Sequence, residues 1–147
     1  MYKHLFVPVD GSELTHRLMD KSLELAVQLK ARITGFVVEP DLPLDVASRS
    51  ADKFVSQMHE HESENQKHAQ ALLGQFERRA QQAGVEFNGV SVTAYAVDEA
   101  IIHSADEAGC DMIVMITHGR GPIGEFIFGS HSQKIVSKSK LPVLVFH

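Results

Sequence analysis

Residues 112–131 read MIVMITHGRGPIGEFIFGSH. The first five are apolar without a break, and the next fifteen hold four glycines and one proline. A short apolar run bounded by turn residues reads as a strand buried on both faces, the kind found inside a parallel sheet. The run after the glycines, SHSQKIVSK, regains helical spacing, with Ile135 and Val136 expected to face inward. The stretch is therefore a strand, a glycine-rich loop and a helix start. The apolar EFIF at 125–128 is expected to pack over the sheet edge or against a partner subunit.

The rest of the chain repeats this strand–helix alternation. KHLFVPV at 3–9 is a strand, and DGSE at 10–13 is a turn in which Asp10 or Ser12 can cap the next helix. That helix spans about 13–30, with Leu14, Leu18, Leu25 and Leu29 at helical spacing and Ser22 in the vacant place. RITGFVV at 32–38 is the second strand, broken by EPDLP. Residues 50–83 carry the longest helical pattern, with Phe54, Met58, Leu72, Leu73, Phe76, Ala80 and Ala83 on its apolar face. Its middle, HEHESENQKHAQ, is polar and solvated, and a bend or interruption is expected near its start. Gly84 is the helix stop. A third strand over 85–95 is expected to be irregular around Asn88-Gly89. A helix follows over 97–108, with Asp98 and Glu99 in its first turn and Ile101, Ile102, Ala105 and Ala108 inward. The fourth strand is 111–116, the last helix runs from Ser130 or His131 to about 138, and PVLVF at 142–146 is the fifth strand. Helical crossovers join parallel strands, so the chain is an α/β domain whose first and fourth strands lie centrally. Ligands of such sheets bind at the carboxyl edge.

Composition narrows the function classes. A chain of 147 residues makes one domain, 1–147. Its formal net charge of −5 argues against nucleic-acid binding and gives no attraction to anionic membranes. No apolar stretch approaches the roughly 18 residues of a membrane span, and the start lacks a signal-peptide layout. The single cysteine, Cys110, excludes an internal disulfide, suits a cytoplasmic location and reads as a small hydrophobe rather than a nucleophile.

At the loop, glycines leave backbone N–H groups open, and a helix start adds more of them with a favourable dipole. An anion cradle and a plain sharp turn both fit that pattern. The Gly-Lys-Ser/Thr phosphate loop is absent, and the turn after the first strand is DGSE rather than a three-glycine dinucleotide turn.

FVPVDGSE at the start and MIVMITHGRGPIGEFIFGSHSQKIVSKSKLPVLVF at the end carry a more specific likeness. Over nearly its whole length the chain resembles the universal stress protein family. The resemblance implies an open five-stranded parallel sheet with helices on both faces, Rossmann-like and similar to the adenine nucleotide alpha hydrolases. It also implies a homodimer paired through the C-terminal strands. One branch of the family binds ATP and another does not. The ATP-binding branch carries glycine, two residues, glycine, nine residues, then glycine with serine or threonine. Here Gly119, residues 120–128 and Gly129-Ser130 match the later part, while the first glycine falls on Ile116. The resemblance places Asp10 at the ribose, Pro8 and Val38 near adenine, and Gly119, Gly129 and Ser130 at the phosphates of ATP, with or without magnesium. Ile116 opens the alternative of a dimeric stress or interaction protein without nucleotide, if its side chain fills the pocket or its backbone needs positive φ.

Other residues near the loop have plainer readings beside functional ones. Thr117 can donate a hydroxyl to the ligand or merely end the strand, His118 can contact a phosphate or satisfy the loop, and Arg120 can pair with a terminal phosphate or stay solvated. Asp10 also serves as a turn acceptor. No catalytic residues are assigned, and any ATPase activity is expected to be slow and secondary. His59, His61 and His68 share one helical region without metal-ligand spacing, so no metal site is expected. A regulatory protein partner is compatible with this class but is not named by the sequence.

Overall fold

A computed structural model describes residues 1–40, 51–117 and 131–147 of the chain. The elements alternate along the chain as β1 (His4–Pro8), α1 (Leu14–Leu29), β2 (Arg32–Pro40), α2 (Ala51–Ala83), β3 (Phe87–Ala94), α3 (Val97–Glu107), β4 (Met112–Ile116), α4 (His131–Lys138) and β5 (Val143–Phe146). The strands form one parallel sheet in the order β3-β2-β1-β4-β5. β1 and β4, the two least interrupted apolar runs, lie side by side inside the sheet, with β2 beyond β1.

Side-chain alternation splits the core into two layers. Leu5, Val7 and Val9 of the first strand and its exit pack with Val114 and Ile116 beneath α1 and α2, against Leu18, Met19, Ala26, Phe76 and Ala80. Phe6, Ile113 and Met115 point the other way, toward Ile101 and Ala105 of α3 and Ile135 of α4. Each such side chain, wholly removed from water, contributes roughly 1.5–3 kcal/mol of transfer free energy. Cys110 belongs to this second layer, and burial pushes its thiol up to about 11, as expected of a packing residue.

Several boundaries differ from the sequence reading. β2 continues through Glu39 and Pro40 instead of stopping at Val38. β1 ends at Pro8 opposite Phe36, so the last residues of β2 pair only with β3, where a missing proline donor is tolerated. α2 runs continuously through its polar middle. β3 keeps an unbroken register through Asn88 and Gly89, opposite Thr34 and Gly35. Ala83 is exposed at the last residue of α2, while Ala69 is buried on the inner face. Val136 is 56% exposed because only Ile135 of that pair faces the sheet. Gly84 does stop α2, with φ at +70°. The first helix has Glu13 at its N-cap and no side-chain cap, so neither Asp10 nor Ser12 fills that role. Phe54 and Met58 lie outside the residues described at side-chain level.

Candidate functional site

The strand order reverses direction between β1 and β4: the chain leaves β1 toward β2 and leaves β4 toward β5. Loops that diverge at such a point leave a crevice at the carboxyl edge. The local sequence widens it. Val9 N–H donates to the Phe36 carbonyl at 2.8 Å, on the β2 side. By strand alternation the Pro8 nitrogen then faces β4, where it has no hydrogen to give. The β1–β4 ladder pairs Leu5 with Met112 and Phe6 with Ile113 and goes no further. Proline thus sits on the side where the two central strands part.

Three of the expected ligand residues lie at this carboxyl edge. Asp10 and Val38 each stand two residues beyond the last β1–β2 pair, Pro8↔Phe36. Thr117 directly follows β4. Pro8 lies one pleat repeat below Asp10. Sequence reasoning and sheet geometry therefore gather Pro8, Asp10, Val38 and Thr117 at one edge. His118, Gly119, Arg120, Gly129 and Ser130 lie outside the described residues.

Asp10 is half-buried and built into the turn. Its Oδ1 accepts the Ser12 N–H at 2.8 Å and lies 3.1 Å from the Thr15 hydroxyl. Its own N–H donates to Thr15 Oγ1 at 3.2 Å, and its carbonyl accepts from the same hydroxyl. Thr15, 1% exposed, is the pin that orients the carboxylate. The second carboxylate oxygen, Oδ2, has no hydrogen-bond partner among the described residues, so it can accept from a ligand hydroxyl. Thr117 is 5% exposed, and its N–H donates to the Phe146 carbonyl at 2.8 Å.

Ile116 lies fully buried in the layer beneath α1 and α2, with Val7, Val9 and Leu18. Its φ is not positive: among the described residues only Lys30 is a non-glycine with positive φ. The backbone objection raised by isoleucine at this position is therefore not realised.

Sequence reasoning missed three features. Thr15 was hidden by its place on the helix face, and Ser132 by its distance from the glycines. Ser132 Oγ is buried in the first turn of α4, three residues before Ile135, and Ser12 Oγ is buried in the turn after β1. Both hydroxyls lack hydrogen-bond partners among the described residues. Glu39 and His68 form the third missed feature: Glu39 Oε1 lies 3.0 Å from His68 Nδ1, and Glu39 is 8% exposed. Only a strand two residues longer than expected reveals that pair.

The family model described as the universal stress protein family matches residues 1–147. The chain belongs to the universal stress protein family. Among curated relatives, the universal stress protein YxiE of Bacillus subtilis is 24% identical over 147 residues, covering 99% of both chains. Among solved structures, that of the hypothetical protein MJ0577 of Methanocaldococcus jannaschii superposes with a TM-score of 0.78 at 20% identity, covering 99% of this chain and 96% of the other. A universal stress protein in complex with cAMP gives 0.70 at 24% identity, covering 99% and 97%. One from Archaeoglobus fulgidus in complex with dAMP gives 0.63 at 19% identity, covering 99% and 98%. At these identities the structural matches establish the Rossmann-like α/β fold. Among the described residues no helix is long and apolar enough to cross a membrane, and no group of three or more His, Cys, Asp or Glu residues is arranged to hold a metal.

Proposed function

We propose that the crevice between the carboxyl ends of β1 and β4 binds an adenine nucleotide, with ATP as the first candidate, and that the protein acts as a nucleotide-dependent regulator in the stress response. The observation that carries this reading is Asp10, fixed by Thr15 and Ser12 where the central strands part, with Oδ2 unpaired among the described residues. A carboxylate held in that way suits the paired hydroxyls of a ribose. Pro8 and Val38 then flank the base, and the start of α4 with Gly119, Gly129 and Ser130 receives the phosphates. Thr117, His118 and Arg120 complete the phosphate side. The solved relatives holding cAMP and dAMP support an adenine nucleotide as the ligand class. The core placement of Ile116 supports room for it.

The reading is binding rather than turnover. Among the described residues no second carboxylate or histidine hydrogen-bonds Asp10, so a general acid–base pair is not assembled there. Magnesium, where present, would come with the nucleotide phosphates. The test is to denature freshly purified protein and identify released small molecules by mass. An adenine nucleotide released in near-stoichiometric amount is expected, and protein free of nucleotide that also takes none up from millimolar ATP would overturn the reading.

The same proposal includes a homodimer. β5 is an edge strand, half-buried at all four residues and paired only with β4 among the described residues. An apolar terminal edge of that kind is suited to pairing with a second copy.

A further inference from the structure

At the carboxyl edge, His68 of α2 stands between two other elements. Its Nδ1 meets the buried carboxylate of Glu39 at the end of β2, 3.0 Å away. The ring's far nitrogen, Nε2, lies against the turn after β1: a Cβ built on Gly11 would lie 2.9 Å from it and 3.2 Å from Cε1. That glycine has no positive φ, so what a side chain here would meet is the imidazole rather than backbone strain. Gly11 directly follows Asp10 and precedes Ser12, whose N–H holds Asp10 Oδ1.

The chemistry of the pair fixes the ring. An ionised carboxylate only accepts, so Nδ1 carries the hydrogen toward Glu39. Glu39 is nearly buried while the His68 side chain is about half exposed, at 11% and 52%. The carboxylate thereby anchors a half-exposed ring, and the next residue, Ala69, is packed at 1% exposure to hold the helix beneath it.

We propose that His68, braced by Glu39, is a positioning residue that sets the Asp10–Gly11–Ser12 turn and so tunes ligand affinity at the crevice. The effect on affinity rests on the nucleotide reading above; the effect on the turn does not. Through this wedge the long helix α2 is coupled to the ribose side of the site.

The test compares wild type with Glu39→Met, His68→Ala, Gly11→Ala and the double variant Gly11→Ala/His68→Ala. The Ser12 amide resonance is followed by nuclear magnetic resonance without ligand, and ATP affinity by calorimetry. Glu39→Met, which keeps the side chain's length but removes the acceptor, and His68→Ala are expected to shift the Ser12 amide and weaken ATP binding roughly threefold to tenfold, the scale of one lost hydrogen bond. The double variant is expected to bind no more weakly than His68→Ala, because the new methyl enters the vacated space. An unmoved Ser12 amide in both Glu39→Met and His68→Ala, or additive losses in the double variant, would overturn the wedge. Should His68→Ala fail to fold, the similar-sized Glu39→Met decides by the same amide. A wild type that binds no ATP would overturn the nucleotide reading alone, leaving the amide shifts to judge the wedge.

Discussion

Ile116 is the residue on which the two functional alternatives divide. As a wall of the pocket it would obstruct a nucleotide; as a core residue it serves the sheet. Its complete burial beneath α1 predicts that Ile116→Ala costs about 2–5 kcal/mol of stability, read from urea unfolding, while ATP affinity of the folded protein changes little. A large gain in affinity with little stability loss would mean that the side chain occupies the pocket. His4 gives a second residue-scale prediction. Its Nε2 lies 2.7 Å from Thr34 Oγ1, and its pKa is lowered from 6.5, first by burial and then by the nearby Arg32. The unfolded chain therefore takes up this proton at higher pH than the folded one. Stability falls as pH drops through 6.5 toward the lowered folded value, and levels off below it. His4→Gln is expected to lose less stability than wild type between about pH 7.5 and about pH 5.5 in urea titrations. Equal losses would remove His4 from the account.

At the scale of elements, hydrophobic period decided most of what was legible. The unbroken runs of β1 and β4 announced central strands, and the 3.6 period announced the helices. Ends were less legible because they depend on neighbours. Nothing local to Glu39-Pro40 says that the adjacent strand will stop at Pro8 and free that edge. Likewise Val136 follows Ile135, and only the docked orientation of α4 decides which is buried. β5 was expected to be central or paired, and it lies at the edge beside β4. Its apolar residues predict a dimer near twice the 16.3 kDa chain mass by light scattering. A monomer at micromolar concentration would contradict pairing through this strand.

For the molecule as a whole, the strand order leaves the opening in which the site is proposed. Two halves wind away from each other at β1 and β4. The family resemblance pointed to Asp10 and Val38, and Thr117 stood beside the loop; all three lie at the carboxyl ends of neighbouring strands. Thr15, Ser132 and the Glu39–His68 brace were invisible in the sequence because each is defined by a contact across 5 to 29 residues or by burial in another layer. Nucleotide binding at this opening is the central claim, and calorimetry of nucleotide-stripped protein with magnesium and ATP tests it most directly. One site per chain with a dissociation constant below about 1 mM, weakened at least tenfold by Asp10→Ala, is the predicted result. No heat at millimolar ATP, or an affinity indifferent to Asp10→Ala, would contradict it.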